Sequence, residues 1–246
     1  MIDHNFYASP VQASQTLITH ILEAMDKELE RPFTIALSGG TTPATLFEVW
    51  EREYAAYTPW SRIYFYWVDE RCVPPGDDQS NFGLAYRLVF SKGGNPAFRC
   101  FFCSVGIPAS HCYRIVGEGA PEEEAKQYSS IVKTTVPTVD GVPVFDFVLL
   151  GIGEDGHTSS IFPDHQELLT AGEPYEVSVN PYNKTVRICM TGRPLIEARH
   201  TCFLVTGENK CSILKEILDK NKEGVYPASY IWHHARNSQL YASLVS

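Results

Sequence analysis

Four short apolar runs punctuate the chain, and three of them are followed by apolar residues at helical spacing: PFTIAL (32–37), RIYFYWV (62–68), FDFVLLGI (145–152) and TCFLVTG (201–207). After the first, Leu46, Phe47, Trp50 and Tyr54 recur at helical intervals; after the second comes a short helix near Phe82–Leu88; after the last come Ile213, Leu214, Ile217 and Leu218. Runs without polar alternation suit strands covered on both faces. Two further helices fit the pattern. Ser9-Pro10 opens one as N-cap and first-turn proline ahead of Val11, Leu17, Ile18, Ile21, Leu22, Met25 and Leu29. PEEEAKQYSSIVK (121–133) forms the other, with three glutamates in its first turn and Lys133 near its end, both favoured by the helix dipole. Alternating strands and helices predict an α/β fold, a mostly parallel sheet with helices on both faces, in a single domain over 1–246 that can carry a small lobe. In such sheets ligands sit beyond the carboxyl ends of the strands. The clusters at Ser38, Asp69, Gly151 and Gly207 all follow strand ends.

The charge balance narrows the partners. Twenty basic against twenty-nine acidic residues leave a net charge of −9, which argues against a nucleic-acid or anionic-membrane surface. A small anionic metabolite needs a locally positive pocket in that field. The start, MIDHNFYASPVQ, has no basic stretch followed by an apolar core, and no later run reaches the roughly 18 apolar residues of a membrane span, so a cytoplasmic protein is expected. Seven cysteines, an odd number, suit reduced thiols rather than a disulfide framework. Nothing in the pattern sets an oligomeric state.

Ser38-Gly39-Gly40-Thr41-Thr42-Pro43 is a turn between a strand and a helix. Its backbone N–H groups, with the helix dipole behind them, suit a phosphate, although the Gly-Lys-Ser/Thr ending of a Walker loop is absent. Gly151, Gly153 and Gly156 match G-x-G-x-x-G, but Glu154 and Asp155 would set carboxylates beside a pyrophosphate, and Pro163 leaves little room for the helix a dinucleotide requires. Cys100 and Cys103, with His111-Cys112 beyond, lack a second cysteine pair at zinc spacing, so neither a metal nor a redox cofactor is expected. No G-x-S-x-G elbow supports a serine nucleophile. His157 stands out, two residues from Asp155 in a glycine-rich loop at a strand end, where a neutral imidazole is suited to taking a proton from water.

Taken together, ALSGGTTP (36–43), WVDERCVPPGDDQSN (67–81), LGIGEDGHTSSIFP (150–163), Arg187-x-x-x-Thr191 and TGENK (206–210) resemble the 6-phosphogluconolactonases of the pentose phosphate pathway. The resemblance runs from about residue 10 to 230 and implies the fold of the ribose-phosphate isomerase and sugar-phosphate deaminase group. It also implies roles. His157 matches the general base, with Asp69 and Asp155 beside it, either of them able to orient the ring. Ser38, Gly39, Gly40, Arg71 and Lys210 match positions lining a phosphate and substrate site for a phosphosugar lactone. The chain departs from the family at Glu197, where many members carry Asn. Two alternatives share the scaffold: a glucosamine-6-phosphate deaminase, which carries a glutamate five residues after the histidine where this chain has Phe162, and a sugar-phosphate sensor without a base.

Overall fold

The computed structural model describes residues 4–28, 31–40, 42–87 and 107–245. In chain order its strands are β1 (His4–Phe6), β2 (Phe33–Leu37), β3 (Ile63–Trp67), β4 (Asp69–Arg71), β5 (Thr138–Val139), β6 (Val142–Pro143), β7 (Phe147–Leu150), β8 (Tyr175–Val179), β9 (Val186–Met190), β10 (His200–Thr206) and β11 (Ser238–Ser243). The α-helices are α1 (Pro10–Asp26), α2 (Thr42–Val49), α3 (Asn81–Arg87), α4 (Pro121–Thr135), α5 (Gly192–Glu197), α6 (Cys211–Leu218) and α7 (Pro227–His234). Six strands form one sheet in the order β1-β11-β10-β7-β2-β3, and every pairing in it is parallel. The fold is therefore α/β with a parallel central sheet.

Local chemistry explains the elements. Ser9 is extended and its hydroxyl accepts from the Gln12 N–H at 3.2 Å, capping α1, which buries Leu17, Ile18, Ile21 and Met25. All five residues of β2 are buried, as a strand covered on both faces requires. Tyr66 and Trp67 of β3 meet α4: the Tyr66 hydroxyl donates to Thr135 Oγ1 at 3.0 Å and the Trp67 N–H to the Tyr128 hydroxyl at 3.3 Å, since buried polar atoms need partners. The Tyr175 hydroxyl donates to the Trp67 carbonyl at 2.9 Å, and the Tyr128 hydroxyl donates to that of Tyr113 at 2.6 Å. At the amino ends of the strands Arg31 grips the buried Asp146 carboxylate through two bonds of 2.8 and 2.5 Å, and Asp146 also accepts the Thr34 N–H at 2.9 Å. That fork joins the starts of β2 and β7.

Three segments differ from the sequence reading. Asp69–Arg71 is not a loop cluster: it is a strand, paired antiparallel with β9, which pairs antiparallel with β8. Its charge hides a strand because Asp69 and Glu70 are buried and use their carboxylates as hydrogen-bond acceptors. The β8–β9 hairpin itself has no counterpart in the reading, and neither does the pairing of β11 between β10 and β1.

The chain leaves β2 for β3 on one side, while β7 pairs on the other. The crevice at the carboxyl ends of β2 and β7 is thus a topological switch point, where open parallel sheets place their ligands. Ser38 and Gly151 emerge there.

Candidate active site

A cleft of about 430 Å³ opens at that switch point. Its wall includes Ser38, Gly39, Gly40, Asp69, Arg71, His157 and Lys210, together with Asn81, Ser160 and Arg187. The loops after β2, β7 and β10 contribute Ser38–Gly40, His157, Ser160 and Lys210, while β4, β9 and the start of α3 contribute Asp69, Arg71, Arg187 and Asn81. Asp155 stands behind His157.

The loop after β7 delivers His157. Its Nδ1 lies 2.6 Å from Oδ1 of Asp155, whose same oxygen also accepts the His157 backbone N–H at 3.1 Å. Burial works to raise the Asp155 carboxyl, but the bonds and charge of His157, with a further bond from Tyr182, outweigh it and hold the group well below the usual carboxylate range. An ionised carboxylate can only accept, so Nδ1 carries a proton, and in the neutral ring Nε2 is then the nitrogen with the free lone pair. Gly153 makes room for this ring: a Cβ there would stand 2.1 Å from Nδ1. Behind the ring lies the fully buried Phe162, with centroids 4.7 Å apart, and the Arg187 guanidinium covers the same phenyl at 5.6 Å.

The loop continues through Ser159 and Ser160 in left-handed conformations, φ 51° and 57°. Non-glycine residues hold such angles at a cost of about 1–2 kcal/mol each and need the surroundings to enforce them. The small antiparallel sheet supplies that enforcement. The Ser159 hydroxyl lies 2.9 and 3.0 Å from the Val68 and Met190 carbonyl oxygens, Ser178 donates to the Ser160 carbonyl at 2.7 Å, and Ser160 donates to Asp69.

Asp69 therefore has another task than facing His157. It accepts from Ser160 on one oxygen and from Asn81 Nδ2 at 3.0 Å on the other, and Arg187 Nη1 approaches to 3.7 Å. Asn81 reaches it because Glu70 fixes the start of α3, accepting the Asn81 N–H at 2.7 Å and the Phe82 N–H at 2.8 Å. Burial pushes the Glu70 carboxyl up against the pull of these donors. Arg71 donates to the Gln79 carbonyl, and Lys210 ends the short turn between β10 and α6. Burial lowers the Arg187 guanidinium while the Asp69 charge supports it.

Sequence reasoning assigned no role to Asn81, Ser160 or Arg187. All three fall within the quoted motifs, but their convergence on Asp69 depends on the pairing of β4 with β9. Glu197 does not line the cleft; it pairs with Arg236 at the end of α5. Among the described residues no three His, Cys, Asp or Glu side chains are placed to hold a metal ion, and no helix is long and apolar enough to cross a membrane. Cys100 and Cys103 lie outside the described residues.

Known proteins are similar to this chain in sequence and in fold. A 6-phosphogluconolactonase of Haemophilus influenzae is 36% identical over 206 residues, covering 83% of this chain and 82% of its own. The human 6-phosphogluconolactonase is 33% identical over 206 residues, covering 82% of this chain and 74% of its own. The crystal structure of 6-phosphogluconolactonase from Leishmania guyanensis superimposes with a TM-score of 0.80 at 25% identity, covering 100% of this chain and 96% of that one. A family model described as glucosamine-6-phosphate isomerases/6-phosphogluconolactonase matches residues 8–241, and with these relatives alongside it the chain belongs to that family.

Proposed function

We infer that the protein is an enzyme that hydrolyses 6-phospho-D-glucono-1,5-lactone to 6-phosphogluconate, the hydrolytic step of the oxidative pentose phosphate pathway. The observation that carries this reading is His157 held by an ionised Asp155 at the wall of a cleft that Arg71, Arg187 and Lys210 also line, in a chain of net charge −9.

A δ-lactone is an activated ester, and its hydrolysis needs a water relieved of a proton and donors for the charge that develops on the carbonyl oxygen. His157 Nε2 takes the proton as the water attacks C1. Asp155 keeps the ring in the right tautomer and stabilises the imidazolium that results, the task of the carboxylate in a Ser-His-Asp triad with water in place of serine. The ring C1–O bond then breaks and the proton passes to the departing ring oxygen, leaving an open-chain acid. Ser38, Gly39 and Gly40 at the start of α2 offer backbone N–H groups to the phosphate, with Arg71 and Lys210 as its counter-charges. Holding that remote group orients the ester for attack.

Against the deaminase stands Phe162, a fully buried phenyl ring where that chemistry places a glutamate. The test is a direct assay with freshly generated lactone, corrected for spontaneous hydrolysis, beside ammonia release from glucosamine 6-phosphate at the same enzyme concentration. Rapid hydrolysis without ammonia is expected. Comparable ammonia release overturns the lactonase reading, and failure on both substrates favours a sensor.

A further inference from the structure

Tyr182 is one of the most exposed large side chains of the described residues, at 70%. Such a ring at the tip of a hairpin is ordinarily a freely rotating side chain. Here it is tethered, because its hydroxyl lies 2.9 Å from Oδ2 of Asp155, the carboxylate oxygen opposite the one that holds His157. The carboxylate is ionised and can only accept, so the phenol donates. The bond in turn pushes the Tyr182 hydroxyl up, keeping its proton in place.

The backbone beneath the ring is pinned as well. The β8–β9 turn closes through Asn180, which is 8% exposed and whose Oδ1 accepts the N–H groups of Tyr182 at 2.9 Å and Asn183 at 3.3 Å. The Lys184 N–H returns to the Asn180 carbonyl at 2.9 Å, with Lys184 in the left-handed region at φ 59°. An exposed phenol on a rigid turn thus reaches across from one loop to the functional carboxylate of another.

We propose that Tyr182 is a positioning residue for the base: its hydroxyl fixes the Asp155 carboxylate in the orientation that presents Oδ1 to Nδ1 of His157. A carboxylate held at one oxygen can swing about its Cβ–Cγ bond; a second donor on the other oxygen removes that freedom. The β8–β9 hairpin, whose strand pairing already braces the loop through Ser159 and Ser160, acquires through this residue a direct hold on the Asp155–His157 pair. The proposal rests on the reading of His157 as the base, and its test separates the two.

Tyr182→Phe deletes the hydroxyl and keeps the ring. Loss of one hydrogen bond to a charged acceptor predicts a fall in kcat of about three- to tenfold, with KM nearly unchanged. In the Asp155→Asn background the same change has no further effect on kcat, because the bond it removes acts only through Asp155. Tyr182→Ala falls as far as Tyr182→Phe. A rise in KM with unchanged kcat, or full activity in Tyr182→Phe with loss only in Tyr182→Ala, would make the ring a substrate contact and overturn the proposal. A readout independent of turnover is the downfield Nδ1 proton of His157 in the NMR spectrum of the full chain, assigned by its disappearance in His157→Ala. In Tyr182→Phe this proton exchanges faster with water and broadens. An unchanged line sinks the proposal even if the lactone is hydrolysed, and a broadened line upholds it even if the lactone is not.

Discussion

Asn81 occupies the space that a side chain at Gly39 would need: a Cβ there would stand 1.8 Å from the Asn81 Oδ1 and 2.0 Å from its Cγ. The turn after β2 and the start of α3 are thereby fitted to each other without spare volume. The same Asn81 amide donates to the Asp69 carbonyl at 2.9 Å and to its carboxylate at 3.0 Å, so the fit is passed on to the buried acid of the cleft.

Gly39→Ala is therefore expected to displace Asn81 and release Asp69, lowering kcat/KM by about 10²-fold, the effect of roughly ångström-scale misplacement in a site. Gly119→Ala is the control, since a Cβ there meets nothing within 4 Å. Steady-state kinetics on the two variants decide; equal activities would mean that the cleft tolerates the shift.

His157→Ala is expected to keep the fold and lose about 10²- to 10⁴-fold in rate, the usual contribution of a positioned base. Asp155→Asn replaces an acceptor by a group that can donate, favours the wrong tautomer and is expected to fall nearly as far. Because a protonated imidazole cannot take a proton, the wild-type rate declines on acidification. The carboxylate does not contribute to that limb, since Asp155 stays ionised well below the usual carboxylate range. A profile flat into the acid range would remove His157 from its role.

Arg71→Ala and Lys210→Ala should weaken binding of 6-phosphogluconate while hardly changing the much poorer binding of unphosphorylated gluconate. Calorimetric titration of each variant with both ligands makes the comparison. Equal losses for the two ligands would assign these side chains to the sugar or to the fold instead of the phosphate.

At the opposite end of the sheet, His20 is packed against Phe147, His200 and the Tyr241 hydroxyl, 2.6 Å from its Nδ1. Burial, with the neighbouring charges of His200 and Lys27, depresses its pKa to about 4, below the ordinary 6.5, and burial lowers His200 as well. Asp146, Glu28 and Arg199 complete the lining of that small recess. Since the unfolded chain binds protons that the folded histidine refuses, this contribution to stability is complete above pH 6.5 and is lost as pH falls from there toward 4. His20→Gln is expected to flatten the fall in Tm across that interval, relative to wild type. Parallel melting curves for the two proteins would exclude His20 as a source of acid sensitivity.

Strands β2, β3, β7 and β10 were legible because each is an apolar run that stops at glycine or charge, and β2 shows the rule with five buried residues followed by Ser38-Gly39-Gly40. By contrast, β1 (HNF) and β11 (SQLYAS) carry no such run. The positions of the cleft follow from the same rule, since a parallel sheet directs its strand ends to one side. The three-residue β4 escaped because local hydrophobicity misreads Asp-Glu-Arg: only the partners supplied by α3, Ser160 and β9 make burying those carboxylates tolerable. The assignment between two aspartates was equally hidden. Asp155 and Asp69 both lie near His157 in the motif pattern, and only the course of the loop through Ser159 and Ser160 gives one to the histidine and the other to Asn81 and Ser160.

The position of β1 at the sheet's edge has a consequence for synthesis. Among the described residues its one strand neighbour in the sheet is β11, which pairs His4 with Leu240 and Phe6 with Ala242. Of the described strands the earliest made therefore waits for the latest made, and until Ser238–Ser243 emerges the edge of β10 stands open to other chains. A nascent chain halted before residue 238 is the aggregation-prone form.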